Sequence, residues 1–286
     1  MTEPSLLLLI PAYNEERRIE PVLRDYAHYF QKHYSGKFQL VVVLNGCRDN
    51  TLGVVRRVQK DFLAISHLVF ADPIGKGGAL IEGLKLAPLA DVIGYVDADG
   101  ATPPHALHDL VKHIGAADCV IGSRWLPGAV LKQEQSSNRQ FASRVFHLIV
   151  GALFQMGIKD TQCGAKVMKR EAVERIHSRL LTADMAFDIN LLYSLKKAGF
   201  RILEVPTEWT DKMGSTVRLF RTSLTMFLSV VRIRLIYWPW LYKCLRPLAP
   251  VEAWLYKKLR APQPLSAAHT LEQPEPNAKD KPPSQP

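Results

Sequence analysis

The amino-acid sequence predicts an α/β fold in which a mostly parallel central sheet is flanked by helices. Five short apolar segments in the first half alternate with stretches long enough for helices of about ten residues. These segments are Leu6–Ile10, Phe38–Leu44, Ile65–Phe70, Val92–Val96 and Cys119–Gly122. Such alternation is typical of βαβ units. With 286 residues, 47% of them hydrophobic, the chain can bury the core of one large domain, with or without appendages.

The connecting stretches carry helix signals in order along the chain. A turn at Pro11–Glu16 precedes the first helix, and Asp49 or Asn50 can cap the second. Gly75–Gly78 leads into the third helix, and Thr102 with two prolines opens the fourth, where a first turn tolerates proline. Apolar residues recur at helical spacing at Ile19, Val22, Leu23 and Tyr26, at Val54, Val55 and Val58, and at Leu80, Ile81, Leu84 and Leu86.

The regular alternation ends beyond Trp125. We expect a loop over Pro127–Gln135 and a long helix over Ser136–Met156, which stops at Gly157. Further predicted elements are strands over Ala165–Met168 and Ile202–Glu208, a helix over Ala186–Ala198, and an amphipathic segment from Phe220 to Trp238. The final stretch, Ala261–Pro286, is rich in Pro, Gln, Ser and Ala, which predicts a disordered tail.

Most of the net charge of +10 lies in one segment, residues 212–260. This segment has ten basic residues against one acidic residue, Glu252, and contains three of the five tryptophans: Trp238, Trp240 and Trp254. Basic and aromatic residues gather at membrane interfaces, but Arg232 and Arg234 leave no apolar run of the ~18 residues that a spanning helix needs. The segment is predicted to lie on an anionic membrane surface; the alternative is an ordinary amphipathic helix packed on the domain.

The cysteines and the N-terminus indicate a cytosolic setting. Cys47, Cys119, Cys163 and Cys244 show neither C-x-x-C pairing nor zinc spacing, so we interpret them as reduced thiols. The apolar run Leu6–Ile10 is short and follows Glu3 without a basic residue, which favours a buried strand over a signal peptide.

The segment that carries chemistry is Gly94–Gly100, where a predicted strand ends at Asp97 and Asp99. Residues i and i+2 of an extended chain point to the same side, so both carboxylates can reach one hard cation. Mg²⁺ and Mn²⁺ take a few carboxylates and complete their shells with diphosphate oxygens. An isolated D-x-D is weak and favours a solvated turn at the end of a strand, but the flanking loops favour the metal site here.

Four loops should gather at the carboxyl rim of the sheet, where open α/β sheets bind ligands. They are residues 11–16, 45–51, 72–78 and 97–102. Lys76 lies among three glycines, which matches neither a Walker loop nor G-x-G-x-x-G. It is either an exposed lysine at a helix start or, beside a metal-type carboxylate pair, a phosphate contact.

These loops resemble those of a family 2 glycosyltransferase with the GT-A fold. The matching segments are IPAYNEE at Ile10–Glu16, NGCRDNT at Asn45–Thr51, GKGGA at Gly75–Ala79 and DADGAT at Asp97–Thr102. The second half is similar to the dolichyl-phosphate glucosyltransferase and mannosyltransferase branch, through GSR at Gly122–Arg124, DTQCGAK at Asp160–Lys166 and AFDINLL at Ala186–Leu192. The resemblance covers about residues 5–235.

The resemblance implies a division of roles. The nucleotide sugar would be bound by Pro11, Tyr13, Glu15, Asn45, Lys76, Asp97, Ala98 and Asp99, with Mg²⁺ or Mn²⁺ on Asp97 and Asp99. Arg124, Arg139 and Ser143 would face the acceptor phosphate, although Arg139 is equally compatible with a solvated helix arginine. Asp99, Asp188 and Arg124 would be catalytic. Asp188 can alternatively be a helix-start acid, or it can orient the acceptor or the sugar, since a lipid phosphate is already ionised and hardly needs a general base.

Together these features predict a metal-dependent, inverting hexosyltransferase at the cytoplasmic face of a membrane. The donor would be UDP-glucose, with GDP-mannose next, and the acceptor a polyprenyl or dolichyl phosphate. The expected regions are a GT-A catalytic domain over 1–218, a membrane-associating segment over 219–260 with amphipathic helices, and the tail over 261–286. Alternatives are a family 2 transferase with a soluble or glycolipid acceptor and a non-catalytic basic binding protein. No nucleic-acid-binding motif supports a nucleic-acid partner.

Overall fold

The computed structural model describes residues 3–132, 137–210 and 219–238, and of residues 137–145, 219–224 and 236 it describes the backbone alone. The strands are β1 Leu6–Ala12, β2 Phe38–Asn45, β3 Ile65–Phe70, β4 Val92–Tyr95, β5 Cys119–Ser123, β6 Val130–Leu131, β7 Lys166–Lys169, β8 Ile202–Pro206 and β9 Glu208–Trp209. The α-helices are α1 Ile19–His33, α2 Thr51–Asp61, α3 Gly75–Leu84, α4 Pro104–Lys112, α5 Ser137–Phe154, α6 Arg170–Ile176, α7 Phe187–Lys197 and α8 Leu219–Ile236.

In the described part of the chain, seven strands form one sheet in the order β3-β2-β1-β4-β7-β5-β8. Strand β7 runs antiparallel to both β4 and β5, and the other neighbours are parallel. The predicted α/β fold with a mostly parallel sheet is therefore confirmed. The antiparallel register places Tyr95 opposite Lys166 at the end of β4, directly before the D-x-D segment.

The predicted strand over Ile202–Glu208 is divided into β8 and β9. Strand β8 pairs with β5 and ends at Pro206, which has no backbone N–H with which to extend a ladder. Two residues later, β9 pairs with β6, which lies within the predicted loop over Pro127–Gln135. The amide of Val130 donates to the carbonyl of Thr207 at 3.1 Å. A two-stranded sheet thus stands beside the rim of the main sheet.

The sheet is buried on both faces, as expected when helices cover a largely parallel sheet. Along β1, Leu7 and Leu9 pack into one apolar cluster, and Leu6, Leu8 and Ile10 pack into the other. The first cluster includes apolar residues of α3, α5, α6, α7 and α8, and the second includes those of α1, α2 and α4. This double layer holds the carboxyl ends of the strands in fixed positions.

Helix α8 packs on the same core as the sheet. Its Val230 and Ile233 are buried in the first cluster, and the hydroxyl groups of Tyr237 and Ser194 are hydrogen bonded at 2.5 Å. Within the described ranges, no helix is long and apolar enough to cross a membrane. The predicted tail, and the basic segment beyond Trp238, lie outside the described residues.

Candidate active site

The four predicted loops meet at the carboxyl rim of the sheet. The amide of Glu15 donates to the Thr51 hydroxyl at 2.8 Å, which joins the loops after β1 and β2. The amide of Ile74 donates to the Asn45 side-chain carbonyl at 2.7 Å, which joins the loops after β2 and β3. Parallel strands end at the same edge, so these contacts follow from the topology. Their result is one rim built from distant parts of the sequence.

The residues assigned to the nucleotide line the β1 side of this rim. Pro11 is half-buried, while Tyr13 is 49% exposed and free to contact a ligand ring. Asn45 is buried and its carbonyl oxygen is already used by the backbone, so its fixed contact is structural. Burial raises the pKa of the Glu15 carboxyl, and two hydrogen bonds from Arg18, at 2.8 and 2.9 Å, act in the opposite direction.

Asp97, Asp99 and Lys76 form the charged centre of the rim. The Lys76 ammonium contacts Asp97 Oδ1 at 2.6 Å, and 38% of the Asp97 side chain is exposed. Asp99 accepts a hydrogen bond from the Ala101 amide at 2.9 Å, while Ala98 between the two acids is buried. Burial favours deprotonated Lys76, but Asp97 and Asp188 outweigh it and raise the pKa of the ammonium. Lys76 is therefore an ion-paired residue of the rim, and its contact with a phosphate stays a prediction.

Two carboxylates at this position fit a hard divalent cation. Burial, and then the charge of Asp97, raise the pKa of Asp99, so the pair holds unfavourable negative charge that a cation would relieve. Among the described residues, no group of three or more His, Cys, Asp or Glu side chains could hold a metal ion. Asp97 and Asp99 could supply two carboxylate ligands, and Mg²⁺ completes such a shell with substrate phosphates and water.

Asp188 is buried beneath this centre rather than exposed at it. Its side chain is 3% exposed, and its Oδ1 contacts the Lys166 ammonium at 2.5 Å and accepts a hydrogen bond from the Tyr95 hydroxyl. Its Oδ2 lies 4.0 Å from the Lys76 ammonium. Burial works to raise the pKa of this carboxyl, but Lys166 and Lys76 outweigh it and hold the pKa below its usual range. Asp188 is therefore a buried carboxylate that is hydrogen bonded through Oδ1 and faces a second ammonium through Oδ2.

Arg124 is held at the end of β5 by a buried acid. Its guanidinium donates to both carboxylate oxygens of Asp160, at 2.7 and 2.9 Å, and stacks on the Trp209 ring with 5.2 Å between guanidinium carbon and ring centroid. Asp160 in turn accepts a hydrogen bond from the Arg124 amide and is 3% exposed. Because Asp160 uses two of the guanidinium donors, the other N–H groups of Arg124 could bind a second anion.

Arg139 and Ser143 lie on α5, which the structure describes over this stretch through its backbone. Their side chains fall outside the described residues, so their predicted contact with an acceptor phosphate stays a prediction. A cavity of about 470 Å³ opens beside Asp99 at the same rim. It is lined by residues that include Arg17, Arg18, Tyr26, Thr102, Lys132 and Glu208.

Three site residues received no role from the sequence: Asp160, Gly164 and Lys166. All three belong to the DTQCGAK segment, which the resemblance included as a matching motif without assigning a role to these residues. A Cβ at Gly164 would lie 2.1 Å from Asp97 Oδ2, so only glycine allows this carboxylate its place. A usable signal was Lys166 itself, because a lysine inside an apolar strand segment requires a buried acid.

We predict that Asp160→Asn lowers stability in a pH-dependent way. Burial works to raise the pKa of Asp160, but Arg124 outweighs it and holds the pKa below the usual value. A carboxyl with a lowered folded-state pKa stabilises the fold above its unfolded pKa of about 3.9, and this contribution is lost as pH falls through the folded-state pKa. The variant should lose about 3–5 kcal/mol of unfolding free energy at pH 7.

Urea unfolding of both proteins between pH 7 and pH 2 measures this difference, which should shrink below about pH 4. Asp109→Asn is the matched control, because Asp109 pairs with Lys112 at 3.0 Å on an exposed helix surface. A loss of stability at Asp160→Asn that is the same at every pH would contradict the assignment.

Comparison with known proteins identifies a family and a fold. The family model described as glycosyl transferase family 2 matches residues 8–177, which is more than half of the chain. Dolichyl-phosphate beta-glucosyltransferase from Dictyostelium discoideum is 33% identical over 244 residues, covering 81% of this chain and 74% of that protein. The human dolichyl-phosphate beta-glucosyltransferase is 30% identical over 249 residues, with coverage of 81% and 75%.

One further relative matches over part of its length, and one solved structure matches in fold. Glycosyltransferase AglD from Haloferax volcanii is 31% identical over 228 residues, and the match spans 36% of its length. Glucosyl-3-phosphoglycerate synthase from Mycobacterium tuberculosis, solved with Mn²⁺, UDP and glucosyl-3-phosphoglycerate, has a TM-score of 0.59 at 17% identity, covering 81% of this chain and 80% of that one. The fold is therefore the GT-A fold, and the chain belongs to glycosyl transferase family 2.

Proposed function

We propose that this glycosyltransferase moves a hexose from a nucleoside-diphosphate sugar to a polyprenyl phosphate. The observation that carries the proposal is the pair of acids Asp97 and Asp99 at the end of a strand, with the Lys76 ammonium 2.6 Å from Asp97 Oδ1. The chain is also related to dolichyl-phosphate beta-glucosyltransferases. UDP-glucose is the favoured donor because of these relatives, and GDP-mannose is the next candidate. The acceptor class likewise follows from the relatives' names.

On the donor side, charge is the main requirement. Asp97 and Asp99 would hold Mg²⁺ or Mn²⁺, which when bound stabilises the negative charge that develops on the departing nucleoside diphosphate. Lys76 adds a positive charge to the same rim, and its ammonium can donate to diphosphate oxygens. Pro11, Tyr13, Glu15 and Asn45 would bind the nucleoside, with the Tyr13 ring available for stacking.

On the acceptor side, the reaction is a single displacement. A phosphate oxygen attacks the anomeric carbon, and the bond to the diphosphate oxygen breaks with its electron pair, so the configuration inverts. The phosphate monoester is largely ionised near pH 7, so no general base has to remove a proton. Arg124, fixed by Asp160, would orient this phosphate together with Arg139 and Ser143. Asp188 would orient the site rather than act as a base, because both of its oxygens face cations.

The membrane is proposed as the place where the two substrates meet. Phe227 on α8 is 41% exposed, and Trp238, two residues beyond the end of the helix, is 52% exposed. The Arg234 guanidinium lies 5.1 Å from the Trp238 ring. Leu148 on the neighbouring helix α5 is 70% exposed. These side chains, and the basic residues that follow in sequence, support peripheral binding to the cytoplasmic face of an anionic membrane.

A substrate panel tests the function directly. Purified protein is incubated with radiolabelled UDP-glucose or GDP-mannose, with or without a polyprenyl phosphate, and with or without Mn²⁺. Label should enter the lipid only when Mn²⁺ and the lipid phosphate are both present, and more of it should come from UDP-glucose. Transfer to a glycolipid or a soluble acceptor instead would favour another family 2 activity. No transfer with any donor or acceptor would favour the non-catalytic basic binding protein.

We predict that Asp99→Asn lowers turnover by about 10²–10³-fold at saturating Mn²⁺, because the amide cannot replace a carboxylate ligand. Initial rates in the substrate panel measure the change. Asp109→Asn, an exposed carboxylate on α4, should retain the parent rate. Near-normal turnover of the Asp99 variant would rule out this residue as part of the donor site.

We predict that Gly164→Ala lowers turnover by about 10²-fold without loss of the fold, because a displaced reactive group costs rate steeply. The new Cβ would lie 2.1 Å from Asp97 Oδ2, and the carboxylate can move since it ends an exposed side chain. Gly115→Ala is the control, because its Cβ would meet nothing within 4 Å. Equal rates and equal Mn²⁺ affinity in the two variants would argue against the role of Asp97.

We predict that the intact protein floats with anionic liposomes at low salt and is partly released at high salt, because charge attraction is screened. Replacing five basic residues by glutamine should abolish most flotation, at about 1 kcal/mol each. The replaced residues are Lys243, Arg246, Lys257, Lys258 and Arg260.

The matched control replaces five exposed basic residues of the catalytic domain: Lys32, Lys37, Arg56, Lys60 and Lys112. It should float like the parent protein. Equal flotation of the two variants, or no binding of the parent at low salt, would exclude the basic segment as the membrane-binding element.

A further inference from the structure

Four charged side chains of alternating sign form a row that runs from the rim into the core. Asp97 contacts the Lys76 ammonium at 2.6 Å, Lys76 lies 4.0 Å from Asp188, and Asp188 contacts the Lys166 ammonium at 2.5 Å. Exposure falls along the row, from 38% for the Asp97 side chain to 0% for that of Lys166. The row thus links a residue that substrate can reach to one that it cannot.

The two oxygens of Asp188 are used unequally. Oδ1 takes the Lys166 ammonium and the Tyr95 hydroxyl, whereas Oδ2 faces Lys76 at 4.0 Å, beyond hydrogen-bond distance. Lys76 makes its close contact with Asp97 instead. Lys166 is held independently by the Cys163 carbonyl at 2.6 Å. Lys76 is therefore paired with Asp97 at the rim, and Lys166 is paired with the buried Asp188.

This distribution depends on Lys166. A buried carboxylate needs a cation, and removing its partner leaves an uncompensated charge at high cost. If Lys166 were absent, the nearest ammonium to Asp188 would be that of Lys76, already 4.0 Å away. Lys76 has a flexible four-carbon side chain and can turn inward to satisfy the acid. It would then leave Asp97 and the rim.

We propose that Lys166 is a positioning residue for the donor site. By neutralising Asp188 it reserves the Lys76 ammonium for Asp97 and for the diphosphate of the donor, which rests on the function proposed above. Lys166 itself touches no substrate. Lys166 acts by keeping Lys76 in position, and it does so through Asp188. Removing the charges of both Lys166 and Asp188 should therefore return Lys76 to Asp97.

Three variants of the full-length chain separate this role from a merely structural one. Lys166→Met removes the buried cation but keeps the length of the side chain. Lys166→Met with Asp188→Asn removes both charges, and a neutral replacement of a buried pair is usually tolerated. Lys169→Met is the matched control on the same strand, where Lys169 pairs with Asp118 at 3.0 Å and is 39% exposed.

The first measurement needs no nucleotide. Brief acetylation with a water-soluble succinimidyl ester, followed by mass spectrometry of the peptide that contains Lys76, reports how accessible its amine is. Labelling of Lys76 should fall by about tenfold in Lys166→Met, because the amine would leave Asp97, which is 38% exposed, for Asp188, which is 3% exposed and shielded from the reagent. It should return at least to the parent level in the double variant and stay unchanged in Lys169→Met.

The second measurement is the Kd of UDP in the presence of Mn²⁺, by calorimetry at a temperature where each variant is folded. Lys166→Met should weaken binding by about tenfold or more, as expected for one lost charged hydrogen bond. The double variant should recover most of it. A merely structural lysine would lower the melting temperature without changing the Kd of the folded protein.

The outcomes separate the two proposals. Unchanged Lys76 labelling in Lys166→Met overturns the positioning role, whether or not UDP binds. If labelling changes as expected in the variants but the parent protein binds neither UDP nor GDP, the positioning role of Lys166 is supported and the proposed donor is refuted. If Lys166→Met does not fold, the double variant decides: Lys76 labelled less than in the parent overturns the inference, and labelling at or above the parent level supports it.

Discussion

The active-site rim depends on one buried ionic contact, that between Lys166 and Asp188. Two charges taken out of water are costly unless each finds its partner with good geometry. The fold meets this requirement with three elements: β7 supplies Lys166, α7 supplies Asp188 in its first turn, and β4 supplies the Tyr95 hydroxyl. Because Lys166 neutralises Asp188, the Lys76 ammonium at the start of α3 contacts the partly exposed Asp97 instead. The position of the Lys76 charge at the rim thus depends on the buried contact between Lys166 and Asp188.

The antiparallel strand makes this arrangement possible. Because β7 lies between β4 and β5, its first residue, Lys166, is adjacent to Tyr95 at the end of β4. The turn before β7 brings Gly164 against Asp97 and Asp160 against Arg124. One short segment therefore fixes the surroundings of both Asp97 and Arg124 at the rim. A fully parallel sheet would place the start of this strand at the opposite edge.

The sequence was sufficient for the sheet, its rim and the D-x-D pair, because apolar periodicity and strand-end acids are local signals. The sequence alone did not predict which residues contact Asp188. Tyr95 is 93 residues away from it, and the two side chains meet only because of the register between β4 and β7. The break after Pro206 and the pairing of β9 with β6 were missed for a similar reason: a two-residue strand has no periodicity. What was missing was tertiary pairing rather than residue chemistry.

Helix α8 differs from the catalytic domain in composition but not in packing. The Ser229 hydroxyl donates to Asp184, and the neighbouring Ala183 carbonyl accepts a hydrogen bond from Gly78 in the first turn of α3. A Cβ at Gly77 would lie 2.3 Å from the Thr182 carbonyl oxygen, so residues 182–184 fit closely between α8 and the helix that carries Lys76. Deleting α8 would uncover part of the apolar cluster that also contains residues of α3. Truncation before α8 would therefore also disturb the helix that carries Lys76, so the proposed membrane-binding and donor-binding roles are best tested by surface substitutions rather than by truncation.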